Sequence, residues 1–143
     1  MSVKQILVSL ENVPGKLLEV SEILGSEGIN IRAISMAETS HVNTVRLVAD
    51  NPDKAINVLK SSGYMTQVVE VIAVEIPDHP GGLQAVLKPL KRKNINVLYL
   101  YPYLGRGESG QAILIIGVDN TEKAMQVLQK NWVHTFGNEI YAL

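Results

Sequence analysis

A chain of 143 residues has room for one domain or two small ones, and its net charge of −1 argues against a nucleic-acid or anionic-membrane partner, because such partners need a concentrated basic surface. Without cysteine, the protein forms no disulfide, no cysteine-based zinc site and no thiol nucleophile. No apolar run approaches the ~20 residues of a membrane span, and the N-terminus does not resemble a signal peptide, so we expect a cytoplasmic protein without a membrane partner.

The first half of the chain predicts the order strand, helix, strand, strand, helix, strand. Pro14 suits the first turn of a helix, apolar residues then recur at helical spacing, and Gly28 ends that helix. Asn51 before Pro52 is typical of the start of a second helix. The first three strands are predicted at residues 4–10, 29–37 and 44–49, and the predicted helices run from Pro14 to Gly28 and from Asn51 to Gly63.

The second half predicts the same order of elements. Short runs of β-branched residues alternate with two segments of helical periodicity. We expect strands at residues 71–76, 97–101, 112–118 and 139–143, with helices at residues 80–92 and 121–130.

This agreement reflects an internal repeat. Seven residues recur at a constant offset of 66, beginning with Pro14-Gly15 and Pro80-Gly81, and a later block recurs at an offset of 69. A fixed period indicates a repeated structural unit. We predict repeat one at residues 1–70 and repeat two at 71–143, with residues 70–76 serving in part as a strand of both. The single core of a unit of about 70 residues stabilises it by only ~3–5 kcal/mol. We therefore expect the two repeats to pack together.

Nothing in the sequence favours catalysis. Gly105, Gly107 and Gly110 match the dinucleotide fingerprint, but a strand follows them where that fingerprint requires a helix, so they indicate a hairpin loop. The three histidines are far apart, and neither a hydrolytic triad nor a pair of carboxylates is suggested. We therefore predict no catalytic residue, no metal site and no cofactor.

Three tyrosines of repeat two share one face of a predicted strand. Tyr99, Tyr101 and Tyr103 alternate along it, whereas the matching residues of repeat one are small. Two interpretations remain open: ordinary packing within the chain, or an aromatic wall for a ligand or a second subunit.

The turn before the first helix of each repeat has the chemistry of a binding site. Free N–H groups and the positive end of the helix dipole meet there, which suits a carboxylate. Gly15 and Gly81 let a ligand approach the backbone, and Asn12 and Asp78 are polar side chains just before the helix. Asn30 and the equivalent Asn96 are expected nearby, because the helix returns the chain. The alternative is that all these polar residues only cap helices and turns.

The pattern N/D-x-P-G-x-L followed by G-I-N-I or N-I-N-V resembles the ACT domain, and the chain resembles a tandem ACT-domain protein over its whole length. The resemblance implies an α+β fold of two ferredoxin-like βαββαβ sandwiches with antiparallel sheets. It also implies that ACT units pair and bind a small effector, usually an amino acid, at their interface. The binding residues carried over from the family are Asn12, Gly15, Leu17 and Asn30 in repeat one and Asp78, Gly81, Leu83 and Asn96 in repeat two.

These observations favour a non-catalytic regulatory protein that binds an amino acid and acts on an enzyme or regulator in trans. It is expected as a homodimer or as a tight pair of repeats within one chain. The alternative is a ligand-free module for protein–protein interaction or dimerisation. A small ferredoxin-like enzyme is the weakest of the three, because no catalytic constellation is present.

Overall fold

The computed structural model describes residues 2–39, 41–107 and 109–143. It has an α+β fold in which antiparallel sheets carry helices, and the repeated βαββαβ order is confirmed. The elements are β1 (Val3–Glu11), α1 (Lys16–Ser26), β2 (Ile31–Glu38), β3 (Val42–Ala49), α2 (Pro52–Ser61), β4 (Thr66–Ile76), α3 (Gln84–Arg92), β5 (Val97–Pro102), β6 (Ala112–Val118), α4 (Thr121–Lys130), β7 (Thr135–Phe136) and a 3₁₀-helix (Asn138–Ala142).

The chain divides into two compact units. One comprises residues 4–69, and the other comprises residues 70–143 together with the first residues of the chain. Strand β4 runs from Thr66 to Ile76 and so continues along the chain through this division. The use of residues 70–76 by both repeats stays a prediction.

In repeat one, β3 is the central strand of the sheet. It pairs antiparallel with β1 and β2, so that Leu47 lies opposite Ile6 in one neighbour and Ile34 in the other. Alternate residues of a strand share a face of the sheet. The face that includes Leu47 carries the apolar side chains that pack against α1 and α2. The core of the repeat includes Ile6, Val8, Val20, Leu24, Val45, Leu47 and Leu59.

In repeat two, β6 takes the central position. Ile116 lies opposite Ile72 of β4 and Leu100 of β5, and β7 pairs with β4 through Phe136 opposite Ala73. The core of this repeat includes Ile72, Val74, Val86, Leu90, Ile116 and Leu128.

The predicted last strand at residues 139–143 is wrong. The last strand is β7, which comes earlier, and the following residues form the 3₁₀-helix. The Tyr103 hydroxyl contacts the Ile140 and Leu143 carbonyl oxygens at 3.0 and 3.1 Å. Backbone groups that a strand would direct to its neighbour therefore meet a side chain instead.

Helix α3 also begins later than predicted, at Gln84 instead of Pro80. The intervening residues form a tight turn in which the N–H groups of Gly82, Gln84 and Ala85 bond to carbonyl oxygens three residues back.

Three tyrosines pack within repeat two: Tyr99 and Tyr101 belong to β5, and Tyr103 directly follows that strand. Tyr101 and Tyr103 are buried, and the Tyr99 ring stacks on Tyr101 with the ring centroids 6.5 Å apart. Tyr99 lies opposite Gly117 of β6, and its ring occupies the space that a side chain at 117 would need. At the equivalent cross-strand position, repeat one has Ala33 opposite Val48, so the large and small residues are exchanged.

A hydrogen bond between Tyr64 and Glu19 joins the α2–β4 connection to α1 in repeat one, and it predicts a pH-dependent stability. The Tyr64 hydroxyl donates to Glu19 Oε2 at 2.6 Å; this bond lowers the pKa of Glu19 and raises the pKa of Tyr64 to about 12. A carboxylate with a lowered pKa stabilises the fold above its unfolded pKa and loses that contribution as the pH falls through the folded value. A tyrosine with a raised pKa stabilises it up to pH 10.0, and this contribution is lost as the pH rises towards about 12.

We therefore expect Tyr64→Phe to have a slightly lower Tm than the parent protein near neutral pH, with the difference shrinking at both extremes. Thermal unfolding of both proteins between about pH 3 and about pH 11 measures this. A Tm difference that stays constant across that range would contradict the role of the hydrogen bond.

Candidate functional site

Asn12 ties the β1–α1 turn of repeat one to the β2–β3 hairpin. Its N–H donates to the His41 carbonyl oxygen at 3.2 Å, and its Nδ2 donates to the Thr39 carbonyl oxygen at 3.4 Å. Its Oδ1 accepts from Asn43 Nδ2 at 3.3 Å. Asn12 remains exposed, so its amide is fixed in position while still facing solvent.

The N-terminus of α1 is open. Gly15 precedes the helix with φ at 90°, and no atom of the described residues lies within 4 Å of the position that a Cβ would take. Among residues 2–39, 41–107 and 109–143 no side chain caps this end, although the first N–H groups of a helix have no partner within the helix. Leu17 is exposed on the first turn, next to Lys16, whose Nζ lies 3.5 Å from Glu19 Oε2. The turn thus presents backbone donors beside an apolar side chain.

The equivalent turn of repeat two is closed. Arg106 contacts the Asp78 carboxylate at 3.4 Å, and the Asp78 N–H donates to Gln111 Oε1 at 3.3 Å. Gly81 has φ at 82°, like Gly15, and the half-buried Leu83 directly precedes α3. Asp78 and the N–H groups of this turn are therefore already engaged within the repeat.

Gly82 is a residue of this turn whose importance the sequence reading missed. It is buried, and a Cβ there would overlap the Pro77 carbonyl oxygen. Repeat one has Lys16 at the equivalent position. That glycine-for-lysine difference between the repeats was a signal that the second turn is packed more tightly.

Asn30 is not brought close to Asn12 within a repeat, and that expectation is wrong. Asn30 lies just before β2, while Asn12 bonds to Thr39 just after it, so an eight-residue strand of about 26 Å separates them. Helix α1 returns the chain to the end of the sheet where β1 begins, away from the turn. In the same way, β5 separates Asn96 from Asp78, which contacts Arg106 beyond that strand.

The backbone of Asn30 has a structural partner that recurs in repeat two. The Asn30 N–H donates to Asp50 Oδ1 at 3.0 Å, and the Asp50 N–H donates to the Asn30 carbonyl oxygen, also at 3.0 Å. Asn96 and Asp119 make the same pair of bonds, both at 3.1 Å. The side chains of Asn30 and Asn96 are not used in these bonds, and both residues are exposed.

The block that recurs at an offset of 69 contains residues that cap helices in both repeats. Asn51 Oδ1 accepts from the Lys54 N–H at 3.2 Å, and Asn120 does the same for Lys123. The Lys54 ammonium group then donates to the Glu27 carbonyl oxygen at the end of α1, at 2.8 Å. The equivalent lysine of repeat two reaches the carbonyl oxygen of Lys93 at 3.0 Å. Sequence reading found the repeat of this lysine but not its role.

Among residues 2–39, 41–107 and 109–143, no group of three or more His, Asp or Glu side chains could hold a metal ion. Asn96 lines a hollow of about 480 Å³ with Lys91 and Asp119.

Of the predicted glycine loop, Glu108 lies outside the described residues. No helix of the described ranges is long and apolar enough to cross a membrane.

Comparison with known proteins gives a family and a fold. A family model for the ACT domain pair matches residues 1–140. Protein BT0572 from Bacteroides thetaiotaomicron is 30% identical, with 100% of this chain and 98% of that chain covered and a TM-score of 0.92. The regulatory subunit of aspartate kinase from Thermus thermophilus shares the fold at 12% identity, with 92% and 93% covered and a TM-score of 0.63.

The corresponding subunit from Thermus flavus is 16% identical, with 90% of this chain and 92% of that chain covered and a TM-score of 0.60. A search of curated protein sequences gave no significant match.

Proposed function

Because the chain belongs to the family of ACT domain pairs, we propose that it is a non-catalytic regulatory protein that binds an amino acid at the β1–α1 turn of repeat one. The bound effector alters a partner enzyme or regulator in trans. The observation that carries the proposal is the difference between the two turns, one open and one closed.

The open turn offers the groups that an amino-acid carboxylate needs. Gly15 leaves space beside the uncapped end of α1, where N–H groups and the helix dipole favour an anion. The Asn12 amide, fixed by Thr39 and Asn43, adds a polar group at a set position. In repeat two, Asp78 is occupied by Arg106, so we assign the effector to repeat one.

A second copy of the chain would complete this site by supplying Asn30. Strand β2 is the outermost strand on one side of the sheet. If two β2 edges pair antiparallel about a twofold axis, the start of one strand lies beside the end of the other. Asn30 of one copy then faces Asn12 of the second copy across the junction. Leu18 of α1 and Met36 of β2 are 61% and 50% exposed, so the repeat has apolar surface available for contact with a second copy.

Control in trans follows from population shift. An effector bound between two copies favours the packing of helices in which both halves of its site are together. Separate regulatory chains of this fold occur among the aspartate kinase subunits, which supports the same arrangement here. The partner would respond to the packing that the effector selects.

The alternative is a ligand-free interaction or dimerisation module. The exposed Leu18 and Met36 favour it, since they suit a protein contact whether or not an effector is bound.

A screen of the purified protein against the twenty amino acids, by thermal shift and then calorimetry, tests the proposal. A ligand at 100 times its Kd stabilises by about 2.7 kcal/mol, which raises Tm by several degrees. A shift confined to one class of amino acid supports the proposal. The absence of any shift in a folded sample would favour the interaction module.

Variants then test the residues. We expect Asn12→Ala and Asn30→Ala each to weaken effector binding about tenfold, because each removes a polar contact that is about as strong as a hydrogen bond to a charged group. Asn96→Ala is the matched control, since it has the same backbone bonds as Asn30 but lies in the closed repeat. Equal losses from Asn30→Ala and Asn96→Ala would contradict the assignment to repeat one.

A further inference from the structure

Trp132 is the only tryptophan of the chain and is 95% exposed. It lies in the turn between α4 and β7 with φ at 62°, in the left-handed region. The equivalent residue of repeat one is Gly63, with φ at 90°. The same turn is thus made in one repeat by the residue best suited to it and in the other by a bulky aromatic side chain.

The Trp132 side chain contributes little to the stability of the fold that would offset the cost of this backbone conformation. A side chain in left-handed backbone carries an energetic penalty that glycine avoids. A tryptophan contributes to stability mainly by burying its large apolar area, and here almost none is buried. Strain of this kind, without a compensating contact in the fold, points to a role in binding.

A hollow of about 250 Å³ lies beside the indole ring. Ile76, Pro77 and Val133 supply apolar walls, and Glu75 supplies a carboxylate. A second hollow of about 350 Å³ shares Glu75 with the first and is also lined by Glu139. The hollow beside Trp132 is smaller than the ~300–1,000 Å³ of most ligand pockets, a size that suits a single extended side chain.

The ionisable side chains of these hollows are mostly acidic. Across the described residues that line them there are two glutamates, one histidine (His134, which lines both hollows) and neither lysine nor arginine. The pKa of Glu139 is held below its usual value by the N–H groups of Gly137 and of Glu139 itself, so that carboxyl is ionised.

Two other polar side chains of the first hollow already have bonds within the protein, and a third, the His134 ring, packs edge-on against Phe136 with the ring centroids 4.5 Å apart. Gln111 Oε1 accepts from Asp78, and Asn131 Nδ2 donates to the Val127 carbonyl oxygen at 2.8 Å. The Glu75 carboxylate accepts from the Ser109 hydroxyl and, with two oxygens, keeps further acceptor capacity.

We propose that the hollow between Trp132 and Glu75 binds an alkyl ammonium or guanidinium group. The indole face attracts the cation, the apolar walls contact its alkyl chain, and Glu75 accepts its hydrogen bonds. The site lies in repeat two and is independent of the effector turn of repeat one. The cation can belong to a free small molecule or to a lysine or arginine side chain of a protein.

Tryptophan fluorescence tests the site directly, because Trp132 is the only emitter of its kind. We titrate the full chain with Nα-acetyl-lysine amide and Nα-acetyl-arginine amide, and use the uncharged Nα-acetyl-norleucine amide as the control probe. Saturable quenching or a blue shift with the cationic probes alone supports the proposal. No change with any probe, or the same change with the uncharged probe, would overturn it.

Substitutions distinguish the two contacts. Glu75→Gln keeps an acceptor for Ser109 but removes the charge, and we expect binding at least about tenfold weaker. Glu122→Gln, on the first turn of α4 and outside both hollows, is the matched control and should bind as the parent does. Trp132→Gly should fold at least as well as the parent and lose binding in calorimetry. Unchanged affinity in Glu75→Gln would overturn the proposal.

The source of the cation is read from a second titration. A short peptide with one central lysine is compared with the blocked amino acid. Affinity at least about tenfold higher for the peptide assigns the site to a protein segment, since flanking residues then add contacts. Equal affinity assigns it to a small molecule.

Discussion

An alanine at position 82 lowers the free energy of unfolding by about 3 kcal/mol. The added Cβ would overlap the Pro77 carbonyl oxygen and lie 3.1 Å from that of His79. Both obstacles are backbone atoms of the same turn, so no side-chain rotation relieves the overlap. The turn must open or α3 must move, and either change disturbs the core beneath Val86.

Urea unfolding of the Gly82→Ala variant measures this loss, and Gly25→Ala is its control. Gly25 lies in α1, and no atom of the described part of the chain is within 4 Å of the position of a Cβ there. Alanine there should raise stability by about 0.5–1 kcal/mol, because it restricts the unfolded chain and favours the helix. An unfolding midpoint of Gly82→Ala equal to that of the parent would contradict the steric argument.

Gly117→Ala has the second largest expected effect, a loss of about 2 kcal/mol. Here the obstacle is the Tyr99 ring, which stacks on Tyr101 and cannot swing away without giving up that contact.

Repeat one supplies the design of a rescue variant. Its equivalent residues are Ala33 and Val48, so Tyr99→Ala with Gly117→Val recreates a pair that the same fold already holds. We expect the double variant to be more stable than Gly117→Val alone, as measured by urea unfolding. A double variant as unstable as the sum of its single changes would show that the ring is not the obstacle.

The sequence was sufficient to predict the repeated order of elements, because that order depends on local patterns. Asn51 and Asn120 accept the N–H bonds expected at helix starts. Asn94 also shows how a change can preserve structure: it replaces Gly28 but keeps left-handed backbone, with φ at 57° against 69°. Asparagine tolerates that region, so the turn survives the substitution.

Features that depend on contacts between distant segments could not be predicted. The carbonyl groups near the C-terminus are directed to Tyr103, almost forty residues earlier, and the sequence of residues 139–143 contains no sign of this. To predict where Asn30 lies, one must know in which direction α1 runs along the sheet, and residue spacing alone does not give that direction. The open and closed turns differ through Gly82 and Arg106, and the second acts from the far side of β5.

The lysine that joins the two helices of repeat one also has a mechanical consequence. Lys54 belongs to the first turn of α2, and its ammonium group holds the last turn of α1 through the Glu27 carbonyl oxygen. If α1 slides along its axis, it must either carry α2 with it or break this bond. A displacement of α1 that keeps this bond therefore moves the start of α2 as well, so the lysine couples the end of one helix to the beginning of the next.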